Sequence, residues 1–297
     1  MPLSASLPIR PPAVAGRFYP GRPGALADEV RRHLDGARAA GERTRRTDDS
    51  AAVLPPAIVA PHAGYLFSGP IAGSAFGEWH ERGAAPRRVV ILGPNHYVPL
   101  TGLALPAASA FATPLGALPL AAEIVEALLA LPFVRVDAAV HAPEHALEVE
   151  LPFLQVLFGD VEIVPLLVGE ATPEQVAAAL EIAWSAADTR VVVSSDLSHY
   201  LAYDEARTVD ARTAGRICDT CAGERLVPLS PFEACGARSL DGWRLVVQRR
   251  GLTVRLLDLR NSGDTAGRRD QVVGYGAFAC DEPGSAARVG GGSADVH

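Results

Sequence analysis

Four cysteines in 297 residues, at positions 218, 221, 235 and 280, are too few to staple a disulfide scaffold. No stretch reaches the roughly 18 uninterrupted apolar residues that a membrane-spanning helix needs. Residues 1–8 carry neither a charged leader nor a long apolar run, so no secretory signal is read there. The basic residues are scattered and the formal net charge is −7, which leaves no electrostatic footprint for nucleic acid. No internal repeat is found. These absences predict a cytoplasmic protein with no membrane span and no nucleic-acid partner. What is present is ample core material, since 48% of the residues are hydrophobic. The length permits one large α/β domain or two small ones.

The most informative stretch is Arg88-Val89-Val90-Ile91-Leu92-Gly93-Pro94-Asn95-His96-Tyr97. A β-branched apolar run stopped by turn residues reads as a strand buried on both faces. It delivers His96 just past its carboxyl end, the edge at which open α/β sheets bind ligands. The device recurs twice. Ala57-Ile58-Val59-Ala60 runs into Pro61-His62-Ala63-Gly64-Tyr65, and Val191-Val192-Val193 runs into Ser194-Ser195-Asp196-Leu197-Ser198-His199-Tyr200. Three such strands point to one polar site on one edge of one sheet.

Along the chain, residues 1–9 read as a loose lead-in and 11–20 as a stiff aromatic arm. Phe18 or Tyr19 either packs on the body or reaches the rim of the site. Helices are expected over 24–40, 68–80 with Ser68 as N-cap, 120–131, 173–187 with Thr172 as N-cap, 204–221 and 240–250. Strands are expected at 57–60, 88–92, near Leu103, and at 134–136, 162–168, 190–195, 254–259 and 272–279. Residues 111–116 read as a turn-rich loop. Pro143 suggests a helix start that leaves His141 outside and His145 inside, with a kink or break at Pro152. Residues 282–297, rich in Gly, Ser and Ala, are expected to be a flexible tail. Alternating strands and helices predict a single α/β domain over 10–281, with a largely parallel or mixed central sheet flanked by helices.

His62 and His96, at equivalent strand ends, suggest a shared metal ion, and imidazole suits iron, copper, zinc and nickel alike. A third ligand has to come from Asp196, His199, Glu144, His145 or Cys235. Asp196 and His199 share a loop in which the carboxylate would orient a general base. A serine hydrolase is disfavoured because the Gly-x-Ser-x-Gly elbow is missing. Glu144 and His145 would begin a helix, where amides favour an anion. His141 to His145 does not form His-Glu-x-x-His. Cys235 precedes a glycine near a helix start, as a thiolate ligand would, although a small buried core residue is the commoner role. Cys218-Asp219-Thr220-Cys221 reads as a coincidence of spacing.

Six blocks, in collinear order over about residues 10–280, resemble the Memo family, called AmmeMemoRadiSam system protein B in bacteria. They are Val14-Ala15-Gly16-Arg17-Phe18-Tyr19, Pro61-His62-Ala63-Gly64-Tyr65, Gly93-Pro94-Asn95-His96, Glu144-His145-Ala146-Leu147-Glu148-Val149, Ser194-Ser195-Asp196-Leu197-Ser198-His199-Tyr200 and Asn261-Ser262-Gly263-Asp264. The resemblance implies a fold similar to class III extradiol (LigB-like) dioxygenases, which hold Fe(II) with two histidines and a glutamate. The Memo family carries cysteine in place of that glutamate. By position, His62, His96 and Cys235 then become the metal triad for iron(II) or copper, with zinc also compatible. His199 takes the place of the general base, His145 of a second such group, and Asp196 lies beside the metal. Tyr65, Tyr97, Phe18 and Glu144 would line the substrate pocket. Thiolate softens the site and disfavours ordinary catechol cleavage. The expected function is a metal-dependent redox enzyme, dioxygenase-like, acting on an unknown small molecule. The alternative is a binding module that holds a peptide or anion in the same cleft, since animal members are associated with phosphotyrosine-containing receptor segments. The bacterial family name implies a functional link to a radical-SAM protein and an AMMECR-type protein.

Overall fold

Four apolar runs form the parallel centre of one sheet. A computed structural model of the chain describes residues 7–44, 54–80, 84–220 and 224–282. In it β1 (Ile9–Arg10) pairs with β5 (Ala110–Thr113), which forms a hairpin with β6 (Gly116–Pro119). The parallel centre is β2 (Ala57–Ala60), β3 (Arg88–Pro94), β8 (Glu162–Val168) and β9 (Thr189–Ser194), in the order β2-β9-β3-β8. Outside β8 lie β4 (Leu103–Leu105), antiparallel to it, and then β7 (Val134–Val136). Outside β2 lies β12 (Val272–Asp281), which pairs antiparallel with β2, with β11 (Thr253–Asn261) and with the short β10 (His199–Leu201).

The middles of the central strands are continuous apolar runs because both faces are covered, and the polar residues Arg88, Glu162, Thr189, Arg190 and Ser194 stand at the strand ends. Alternate residues feed opposite cores. Val90, Leu92, Val191 and Val193 face the core capped by α3 (Ala122–Leu128), α6 (Pro173–Ala183), α7 (Tyr203–Cys218) and α8 (Ala237–Arg250). Val89, Ile91 and Val192 face the core capped by α1 (Pro23–Thr44), α2 (Tyr65–Phe76) and α5 (Leu151–Phe158). The result is a single three-layer α/β domain with a mixed sheet. No helix among the described residues is long and apolar enough to cross a membrane.

Several local expectations are corrected. The second helix begins at Tyr65, so Ser68 lies inside it, and its hydroxyl donates to the Ala63 carbonyl. Pro70 also lies inside that helix, where the missing N–H removes one backbone hydrogen bond. The 111–116 loop is part of the β5–β6 hairpin. His141 ends the short helix α4 (Ala138–His141), and His145 lies in irregular backbone before a 3-10 turn at Glu148–Glu150. Pro152 sits in the first turn of α5, so the chain breaks there rather than kinks. The helix expected to reach Cys221 ends at Cys218, and Cys221 lies outside the described residues. Thr172 caps α6 as expected, with Gln175 completing a capping box. At the lead-in, Pro8 accepts a backbone hydrogen bond from Ser109 and Ile9 is in β1, so its last residues are tied to the body. Residues 1–6 and 283–297 of the expected tails lie outside the described residues.

His141 is buried, with Nε2 2.9 Å from the Ala104 carbonyl, and burial pushes its pKa down to about 4. The unfolded chain protonates this imidazole near pH 6.5, the folded chain only near pH 4. Between those values the unfolded state holds the extra proton, so stability is lost as pH falls from about 6.5 to about 4. The contribution of this one group is about 3 kcal/mol. Urea unfolding of wild type and His141→Gln at pH 7 and pH 4 measures it. The wild type should lose about 3 kcal/mol more than the variant over that interval. Equal losses would show that His141 is not held neutral.

Candidate functional site

The three strand ends are brought level by register. Ala60 pairs with Ser194, and Leu92 with Val193. The residues that follow, His62, Asp196 and His96, therefore leave the sheet at one place. Two glycines allow the rest of the site to close on them. A Cβ on Gly93 would lie 2.8 Å from Leu147 Cδ2, so glycine there lets the 144–150 segment settle on the end of β3. A Cβ on Gly236 would lie 2.7 Å from Ser195 Oγ, so glycine there lets Cys235 reach the loop after β9.

His62 is buried, and its Nε2 lies 3.2 Å from Cys235 Sγ. Its Nδ1 is 2.7 Å from Ser194 Oγ, which also lies 2.7 Å from the Ala146 carbonyl and 2.9 Å from Glu150 Oε1. A hydroxyl has one proton and two lone pairs. Donation to Ala146 leaves the lone pairs for His62 Nδ1–H and for a proton on Glu150. Burial pushes the Glu150 carboxyl well above its ordinary value, outweighing the opposing contact with Ser194 and aided by Asp196, and the protonated acid supplies that proton. The network thus fixes His62 with Nε2 unprotonated and turned toward Cys235. Burial and the neighbouring histidines push its pKa well below the ordinary value.

His96 is held differently. Glu144, itself buried, accepts the His96 backbone N–H at 2.6 Å and faces His96 Nδ1 at 3.0 Å. It also accepts the amides of His145 and Ala146, at 2.8 and 2.9 Å. Burial opposes ionisation, but the His96 side chain and these amides outweigh it, and the carboxyl stays below its ordinary value. With Nδ1 engaged, Nε2 is the free donor of His96. One donor atom each from His62, His96 and Cys235 lies within 4.8 Å of the others. Glu144, His96 and His145 form a second close group, but the Glu144 oxygens are already occupied by the hydrogen bonds just described.

Asp196 does not orient His199. Its Oδ1 accepts the His62 backbone N–H at 2.8 Å, and its own amide faces Cys235 Sγ at 3.3 Å. Burial raises its pKa to about 7 against the opposing hydrogen bonds from the His62 and Ala63 amides. His199 instead donates from Nδ1 to the Leu197 carbonyl at 2.9 Å, leaving Nε2 free. Burial lowers the His199 pKa, and a proton on His199 would in turn oppose one on His62. Burial pushes the Cys235 thiol up, with the Asp196 charge second.

His145 stacks on His96 at a centroid distance of 4.9 Å, and burial lowers its pKa to about 4. Phe18 packs on its ring at 4.8 Å and the Tyr97 hydroxyl lies 3.1 Å from its Nδ1. Phe18 and Tyr97 therefore stand beside the cluster, whereas Tyr65 does not. Tyr65 is buried, with its hydroxyl donating to the Val149 carbonyl at 2.6 Å and its ring against Phe153. The helix start expected at Glu144 and His145 is absent; the Glu144 side chain itself collects the amides there.

Sequence reasoning missed the clamp that brings Phe18 in. Glu148 accepts hydrogen bonds from the amides of Ala13 and Val14, the Tyr19 hydroxyl and Arg10 Nη1. Arg10 also donates to the carbonyls of His141 and Glu144. The signal available was the pair Glu148 and Glu150 alternating with apolar residues in a segment too hydrophobic to be exposed. A cleft of about 370 Å³, lined by His96, Tyr97, Cys235, Gly236 and Ser239 among others, opens beside the cluster.

The model of one protein family, described as Memo-like protein, matches residues 10–279. A MEMO1 family protein of Methanopyrus kandleri is 36% identical over 91% of this chain and 98% of its own length. MEMO1 family proteins of Archaeoglobus fulgidus and Thermotoga neapolitana are 35% and 34% identical, each over 90% of this chain.

Ser194→Ala should orphan the His62 Nδ1 proton and the Glu150 carboxyl proton together. Each buried unsatisfied group costs about 1–3 kcal/mol. Urea midpoints of the wild type and variant measure the sum. A loss under about 0.5 kcal/mol would contradict the assigned network.

Proposed function

The chain belongs to the Memo family, and from that premise and the strand-end cluster we propose that it is a metal-dependent redox enzyme acting on a small molecule. His62, His96 and Cys235 would hold iron(II) or copper. The observation that supports this is the convergence of two imidazoles and a thiol whose other polar contacts are already made. The donors fit a metal in their chemistry as well. Both histidines present a nitrogen backed by a fixed partner, the arrangement by which outer groups orient metal ligands. A bound cation offsets the burial that keeps the Cys235 thiol protonated and favours the thiolate. Zinc suits the same donors but supplies no redox change.

A metal held there would supply one-electron redox chemistry or Lewis acidity at the end of the cleft. The protein supplies the rest. Phe18 and Tyr97 pack against His145 at the rim of the site. His199, with Nδ1 tied to Leu197, presents Nε2 as a proton acceptor, and its lowered pKa keeps it unprotonated at neutral pH. His145, neutral for the same reason, is the second proton-transfer group. Asp196 holds the His62 backbone and the Cys235 loop in place. The functional link to a radical-SAM protein and an AMMECR-type protein belongs to this proposal, as does residence in the cytoplasm. The three described cysteines are free, which suits a reducing compartment.

Metal analysis of protein purified without oxygen tests the reading. The wild type should carry iron or copper near one per chain, and Cys235→Ala and His62→Ala should lose most of it. Glu144→Gln should weaken metal affinity by about 10–100-fold through His96. A folded wild type that carries no metal and cannot be reconstituted would overturn the reading.

A further inference from the structure

The cleft beside the cluster ends at the start of α8. Cys235 is followed at once by Gly236, the N-cap of that 14-residue helix, and both line the cleft. The first turn of α8 has no side-chain cap and no acidic residue. Three of the amides there are used: Gly236 donates to Ser195 Oγ, Ala237 to the Ala234 carbonyl and Leu240 to the Gly236 carbonyl. The amides of Arg238 and Ser239 have no hydrogen-bond partner among the described residues. A second, independent feature stands beside them. Ser239 lines the same cleft and is 1% exposed, yet its hydroxyl has no hydrogen-bond partner among the described residues. A buried hydroxyl without a partner forfeits about 1–3 kcal/mol, and this one belongs to a residue that borders the cleft. Arg238 and Glu170 also line the cleft and are paired there, Arg238 Nη2 to the largely exposed Glu170 carboxylate at 2.7 Å, so each charge offsets the other.

We propose that the start of α8 is the anion-binding end of this cleft, where the amides of Arg238 and Ser239 and the Ser239 hydroxyl receive a carboxylate or phosphate of the substrate. The helix dipole, free amides and a hydroxyl donor together favour a negative group. Cys235 lies one residue before the N-cap, so an anion seated there sets the remainder of the molecule against the cluster. The substrate class is thus a small organic acid or phosphate ester; this rests on the metal-centre reading only for what happens at its other end. Asn95 adds a detail of recognition. It lines the cleft with Oδ1 unpartnered among the described residues, and that oxygen can accept a hydrogen bond from a hydroxyl or amino group of the same molecule.

Calorimetric titration of the full chain, as purified, with inorganic phosphate and separately with malonate tests the subsite and distinguishes the two anions. Ser239→Ala should weaken the preferred anion roughly two- to tenfold. Arg238→Glu places a carboxylate at the first turn, where it suits the helix dipole, and should weaken binding by at least about tenfold. His62→Ala should leave anion binding within about twofold of wild type even as metal is lost. Binding of neither anion by the wild type, or binding unchanged in both α8 variants, overturns the proposal. Loss of binding in His62→Ala with no effect of the α8 variants also overturns it, because the anion then sits at the metal centre. Absence of metal with anion binding that still depends on Ser239 sinks the redox reading and leaves the subsite standing.

Discussion

The register of three parallel strands is the constraint on which the molecule depends. With Ala60 beside Ser194, and Leu92 beside Val193, the chain leaves β2, β9 and β3 at the same level. That register is specified because both faces of these strands are buried and alternate residues feed different cores. A slip of one residue would exchange every side chain between the two faces. It would also carry His62 and His96 away from one another. The hydrophobic core therefore sets the position of the polar site.

The site consists of polar groups that would be costly to bury singly. Ser194 satisfies His62, Glu150 and the Ala146 carbonyl with one hydroxyl. Glu144 satisfies His96 and two further amides with one carboxylate. Glu148 does the same for the N-terminal arm and so brings Phe18 onto His145. Three acidic or hydroxyl side chains, contributed by the 144–150 segment and the end of β9, thus organise most of the cluster. The donors left over are His62 Nε2 and His96 Nε2, together with Cys235 Sγ, which also receives the Asp196 amide at 3.3 Å. Positioning and chemistry are divided between different residues.

Much of this was legible in the sequence, and for identifiable reasons. Strand ends at Ala60, Pro94 and Ser194 follow from apolar runs that stop at turn residues. The capping box at Thr172 and Gln175 is a local signal and appears where expected. The metal-type group His62, His96 and Cys235 was reached through the family resemblance, and the folded chain brings all three together. Long-range contacts were not legible. Tyr65 stands beside His62 in sequence, but its position at the start of a buried helix turns it to Phe153 and the Val149 carbonyl. Asp196 and His199 share a loop, yet the carboxylate accepts the amide of His62, which follows a different strand. Pro143 suggested a helix start, whereas the Glu144 side chain collects the amides that a helix would have used. Ser239 gave no signal in sequence, because only the folded cleft shows that its hydroxyl lacks a partner.

X-ray absorption at the metal edge of protein loaded anaerobically with iron(II) addresses the central claim most directly. The account predicts one sulfur scatterer together with imidazole nitrogens, and loss of the sulfur alone in Cys235→Ser. A wild-type shell of light atoms only, or a sulfur that persists in Cys235→Ser, would contradict a centre built from His62, His96 and Cys235.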